Sequence, residues 1–223
     1  MRKLSYSVAL ILGVLMLVLP AAPAAAQPLP QDVVTVATGF GAPGTVVDIP
    51  VFIRDVSGTP LGLDQPAGSR IQSYSLKVDY APAAAVSSIT FTRAGITTTL
   101  TPAFEANPSV PGSISLIDTF QEATNLIPFT LNGAAPGNQV AHLQVTLSGS
   151  ATPGQVITLT LDPVLTQLAN QAGTTTETVT NGSLLLVNGS ITVTQRGGAP
   201  ALSTLGLLVL AISLAVVAVR FRS

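Results

Sequence analysis

The chain has 223 residues, of which 47% are hydrophobic, 9% charged and 4% aromatic, with no Cys and no Trp. Without cysteine there are no disulfides and no thiolate metal sites, so the fold must hold by burial and strand pairing. Residues 27–198 carry five basic side chains (Arg54, Arg70, Lys77, Arg93, Arg196) against ten acidic ones, a formal charge of −5 that excludes a nucleic-acid footprint of clustered positive charge.

Residues 1–26 open with Arg2 and Lys3, continue through the apolar run 8–19 and end in Ala24, Ala25 and Ala26 before Gln27. A basic start, a short greasy centre and an A-x-A site predict a signal peptide cleaved after Ala26. Residues 27–198 then suffice for one domain with a real core.

Within it, 32–38 (DVVTVAT) reads as a first strand and 39–44 as the turn after it. In 45–54 (TVVDIPVFIR), Val47, Ile49, Val51 and Ile53 share one face, and Pro50, which cannot donate to a ladder, predicts an edge position or a bulge. The Gly-, Pro- and Asp-rich segment 55–70 predicts an exposed loop.

The run 71–82 (IQSYSLKVDYAP) is the clearest strand in the chain, because Tyr74, Leu76, Val78 and Tyr80 fall on one side of an extended backbone and Ser73, Ser75, Lys77 and Asp79 on the other. One side belongs in a core; the other is free to meet water or a partner. Strands follow at 86–93 and, after a Thr-rich stretch and a polar linker, at 113–120 (SISLIDTF), with Ile114 and Leu116 inward and Ser113, Ser115 and Ile117 outward. In 139–148 (QVAHLQVTLS), Ala141, Leu143, Val145 and Leu147 point one way and His142, Gln144 and Thr146 the other. Pro153-Gly154 turns the chain into 156–161, a short helix is expected at 164–171 after Asp162-Pro163, and the last strands, 183–187 and 190–194, meet at Asn188-Gly189, a hairpin or bulge signal. About nine strands with turn signals every 8–12 residues predict an all-β, two-sheet antiparallel sandwich.

Residues 199–219 carry no charge and are long enough to cross a ~30 Å hydrocarbon layer as a helix. Arg220 and Arg222 follow, which predicts a transmembrane segment with the domain outside the cytoplasm. Its opening, Ala199-Pro200-Ala201-Leu202-Ser203-Thr204-Leu205-Gly206-Leu207, resembles bacterial C-terminal sorting signals of the Pro-x-Leu-Ser-x-x-Gly-Leu kind. A plain single-pass anchor fits the same residues. Both readings put the domain at the cell surface.

Taken in succession, DVVTVATGFGAPGTVVDIPVFIRDV, IQSYSLKVDYAP, QVAHLQVTLSGSATPGQVITLTL and VNGSITV resemble a cohesin domain over 33–194. The resemblance implies a nine-stranded jelly roll, one sheet face of which binds a small calcium-loaded dockerin module. Carried over by position, that face presents Ser73, Ser75, Lys77, Asp79, Ser113, Ser115, His142 and Gln144. The chain departs from the family in Tyr80-Ala81-Pro82, where Tyr-Asp-Pro is usual, in the long 55–70 loop, and in the serines at 73 and 75, where Asn and Asp are often found.

Catalysis has little support. His142 is the sole histidine, no G-x-S-x-G elbow exists, and Asp118 and Glu122 read as solvated acids rather than a glycosidase pair. Asp55 and Asp64 lack the D-x-D-x-D-G calcium spacing, so neither metal nor cofactor is expected. Asn181-Gly182-Ser183 and Asn188-Gly189-Ser190 match glycosylation acceptors but are first of all turn chemistry. The expected protein is a non-catalytic surface module with a protein partner, a dockerin-bearing protein being the one the resemblance names. A carbohydrate-binding or matrix protein on the same scaffold is the alternative, weakened by the scarcity of aromatic stacking platforms.

Overall fold

The computed structural model describes residues 29–196. The expected signal peptide and C-terminal span both lie outside the described residues, among which no helix is long and apolar enough to cross a membrane. The described chain is an all-β sandwich. Its strands are β1 (Asp32–Val36), β2 (Thr38–Gly41), β3 (Val46–Arg54), β4 (Ser73–Ala81), β5 (Val86–Arg93), β6 (Phe104–Ala106), β7 (Ser109–Val110), β8 (Ser113–Thr119), β9 (Asn138–Leu147), β10 (Val156–Leu161), β11 (Gln167–Ala169), β12 (Thr176–Glu177), β13 (Leu184–Val187) and β14 (Gly189–Val193). Short 3-10 turns at Ala83–Ala85 and Gly95–Thr97 are its only helical pieces among those residues.

One sheet runs β13-β1-β3-β9-β5. In the other, β4 is flanked by β8 on one edge and by β10 and β11 on the opposite edge, with β6 and β7 beyond β8, β12 beyond β11, and β14 then β2 beyond β10. The antiparallel expectation holds for most pairs but not all. β1 pairs β13 and β14 pairs β2 in parallel, so both sheets are mixed.

The cause lies at two crossings. The first strand does not end at residue 38 but passes from one sheet to the other at Ala37, becoming β2, so half of the expected 39–44 turn is strand and the turn itself falls at 43–44. Asn188-Gly189 does the same between β13 and β14 and is neither a hairpin nor a bulge. There the Asn188 side chain accepts the Leu161 N–H at 2.9 Å. The two crossings touch, since a Cβ on Gly189 would sit 2.7 Å from the Val36 carbonyl oxygen.

The core is the apolar faces that alternation selects: Val34, Val36, Val47, Ile49, Val51, Ile53, Leu143, Val145 and Leu147 from one sheet against Tyr74, Leu76, Val78, Ile114, Leu116, Ile157, Leu159, Ile191 and Val193 from the other. Pro50 sits in a central strand rather than at an edge, with the β3–β9 register shifting one step later, between Val51 and Phe52.

Three expectations fail for tertiary reasons. Residues 164–171 form a turn and then β11, because Gln167–Ala169 pairs with the edge of β4. The helix-start signal is genuine but short-lived: the Asp162 carboxylate accepts the Val164 and Leu165 N–H groups and the chain then straightens. The 55–70 loop is not wholly exposed, since Asp55, Thr59 and Leu61 are buried in it. Asp118 is likewise fully buried, its side chain inward with Ile114 and Leu116, and is no solvated acid.

Candidate functional site

β4 and β8 are long, antiparallel and in register, so their outward side chains form rows on one face. Ser73 lies beside Thr119, Ser75 beside Ile117, Lys77 beside Ser115 and Asp79 beside Ser113. β10 extends the rows with Thr160 against Asp79 and Thr158 against Ala81, and β14 adds Ser190 and Thr192. The result is a face dominated by hydroxyls, with the Lys77 ammonium near its middle between the Asp79 and Asp162 carboxylates.

The polar groups on it are ordered. The Ser73 hydroxyl donates to the Asp118 carbonyl at 2.9 Å and lies 2.9 Å from the Thr119 hydroxyl. Lys77 Nζ donates to Asp162 Oδ2 at 2.8 Å and stands 3.6 Å from Asp79 Oδ1. The hydrogen bond to Asp162 raises the Lys77 ammonium above its ordinary value. The same contact, together with the Val164 and Leu165 amides, lowers Asp162. Asp79 is the more open partner, its side chain 47% exposed against 22% for Lys77.

His142 and Gln144 do not belong to this face. They point outward from β9, in the other sheet, where His142 lies opposite Pro50 and Thr92 and Gln144 opposite Asp48 and Thr90. His142 Nδ1 is 2.7 Å from Asp48 Oδ1, an ion pair when the imidazole is protonated. Alternation identified the outward residues of each strand correctly. It carries no information about which sheet a strand joins, and that is where the grouping of eight residues fails.

Residues that the alternation pattern passed over also line the face. Thr119, Thr158 and Thr160 sit in the same rows. Phe104, paired with Thr119 from β6, and Phe40, paired with Thr192 from β2, are exposed apolar residues at its two margins. The alternating Thr residues of 156–161 were the available signal. Phe40 and Phe104 lay in segments with no strand pattern of their own.

The single imidazole contacts a carboxylate, and among the described residues no hydroxyl hydrogen-bonds to it. Asn181 acts as a turn residue, its Oδ1 accepting from Thr178 N–H and Ser183 N–H, whereas Asn188 sits at the crossing between the sheets and its Oδ1 accepts from Leu161 N–H.

No protein-family model and no curated protein matches the chain. Solved structures do. The solution structure of the cohesin CaCohA2 from Clostridium acetobutylicum matches with a TM-score of 0.53 at 23% identity, over 77% of this chain and 94% of that one. The third cohesin of ScaC, in complex with the ScaB dockerin from Acetivibrio cellulolyticus, matches with 0.53 at 18% identity, over 74% and 99%. The cohesin OlpA–dockerin complex from Clostridium thermocellum matches with 0.52 at 11% identity, over 73% and 99%. The chain therefore has the cohesin fold.

Proposed function

We propose that this protein is a non-catalytic binding module that docks a protein partner, of the dockerin type, through the outer face of the sheet built on β4 and β8. One observation carries the reading: Ser73, Ser75, Lys77, Asp79, Ser113 and Ser115 are brought into adjoining rows by the pairing of two long strands. A broad, weakly charged face of short side chains suits association through contact area and a few directed hydrogen bonds. Short side chains also lose little rotamer entropy on binding. The cohesin fold supports the same reading, since two of the matched cohesins are in complexes with dockerins.

The docking residues are accordingly the six on β4 and β8, with Thr158 and Thr160 beside them. His142 and Gln144 face away and take no part. The sandwich is of jelly-roll type, displayed outside the cytoplasm after removal of residues 1–26 and held at the cell surface by 199–219, or processed there by a sorting enzyme. Export signal, span and flanking arginines in the sequence support that placement.

Affinity capture with the immobilised protein, from the medium and envelope fraction of the organism that makes it, tests the proposal. Dockerin-bearing proteins should be retained in calcium and released by a chelator. Retention on polysaccharide with no dockerin captured would replace docking by the carbohydrate reading.

A further inference from the structure

Asp32 opens β1 in one sheet and Glu177 closes β12 in the other, and both side chains are fully buried. Their carboxyl groups face each other within hydrogen-bonding reach. Asp32 Oδ1 accepts the Val56 N–H at 2.7 Å, and Glu177 Oε1 accepts the Leu61 N–H at 2.8 Å. Asp32 Oδ2 and Glu177 Oε2 are buried and receive no N–H or O–H from any other residue.

Thr59 stands between these groups. Its hydroxyl oxygen is 2.6 Å from the Leu61 carbonyl oxygen, 3.0 Å from that of Val56 and 3.4 Å from Asp32 Oδ1. One hydroxyl has one proton and serves only one of the three. Oxygen acceptors are thus in surplus at a point holding two buried carboxyl groups. Asp55, also buried, adds a third negative group nearby, with its Oδ1 unpartnered. Among the described residues no Lys, Arg or His forms an ion pair with Asp32, Asp55 or Glu177.

A buried carboxylate without a counter-charge is costly by several kcal/mol, so this pocket is neutralised either by a proton, which burial and the neighbouring Glu177 favour on Asp32, or by a cation that enters it. Every donor is oxygen, the preference of hard cations, and calcium accepts six to eight such ligands from carboxylates and carbonyls in flexible geometry. Among the described residues no three His, Asp or Glu side chains meet at one point. Two carboxylates can supply the charge here while neutral oxygens complete the shell. Thr59 also lines an open surface groove of about 360 Å³ with Pro30, Gly58 and Ser183.

We propose that Asp32, Glu177, the Thr59 hydroxyl and the Val56 and Leu61 carbonyls form a structural calcium site that clamps β1, the 55–65 loop and β12 together. The expectation that the chain holds no metal is revised to that extent. The site lies on the protein itself and is separate from any ion a docking partner carries.

Calorimetric titration and thermal unfolding of the full-length, chelator-treated protein, with no partner present, test it. One calcium should bind per chain, and the melting temperature should rise by about 5–10 °C at calcium roughly 100-fold above Kd. Magnesium, which dehydrates reluctantly, should give much less. Asp32→Asn and Glu177→Gln each remove a charge while keeping an acceptor for the amide at 56 or 61, so both should fold in chelator and lose the calcium-dependent rise. A wild-type protein that binds no calcium, and whose stability responds only to acid, has a shared proton in the pocket and overturns the proposal. So do variants that keep the full calcium response. None of these readouts depends on docking, so the two proposals stand or fall separately.

Discussion

Lys77 and Asp162 join the centre of the candidate docking face to the turn after β10: the ammonium donates to the carboxylate at 2.8 Å, and that carboxylate also accepts the Val164 and Leu165 amides. The one cation on the face is therefore fixed in position before any partner arrives. A preset charge spares the ordering cost that a free lysine would bring to an interface.

Lys77→Met should accordingly weaken partner capture by about tenfold or more, chiefly through faster dissociation, while moving the melting temperature little, because ion pairs that still reach solvent contribute little to folding. His142→Ala should leave capture unchanged, since His142 is on the opposite sheet beside Asp48. Equal losses for both variants, read by surface plasmon resonance, would remove the assignment of the face to β4 and β8.

Asp162→Ala should act differently. It frees the ammonium and also strips two turn amides of their acceptor, so both stability and capture should fall. Thermal unfolding beside the binding assay separates this variant from Lys77→Met, whose loss is confined to binding.

Leu76 and Leu143 are fully buried on facing sheets. Truncating either to Ala should cost about 2–5 kcal/mol through lost transfer energy and the cavity left behind. The urea midpoint should drop with an unchanged slope.

Burial pushes the Asp118 carboxyl up to about 6 from 3.8; the Tyr74 hydroxyl and Arg93 oppose the shift and Glu105 adds to it. Because the folded state holds the proton more tightly than the unfolded one, this residue's contribution is complete below about pH 4 and is lost as pH rises through 6. The decline should be at most about 1.4 kcal/mol per pH unit across that window. Asp118→Asn should flatten that part of the profile and leave the variant the more stable protein at pH 7. Chemical denaturation at a series of pH values reads both.

Gly189→Ala should be poorly tolerated. Its Cβ would run into the Ala37 and Val36 carbonyl oxygens, where the two sheet crossings touch. Backbone at that point cannot move without disturbing β1 and β14 together, so a loss of about 2 kcal/mol or more in unfolding free energy is expected. Gly149→Ala, with open space around its Cβ position, is the control and should be neutral.

Much of this protein is written locally. Period-2 alternation alone determined which side chains of β3, β4, β8 and β9 enter the core, because a strand offers only two faces and burial selects the apolar one. It also separated Ser73, Ser75, Lys77 and Asp79 from Tyr74, Leu76 and Val78. Tertiary structure decided what depends on a strand's neighbours. It set His142 and Gln144 on the other sheet, turned the 164–171 signal into β11, and sent the chain across the sandwich at Ala37 and Gly189. It also gathered Asp32, Glu177 and Thr59, far apart in sequence, into one buried oxygen-rich pocket. Pairing partners and desolvation are properties of the assembled layers, and no stretch of sequence carries them by itself.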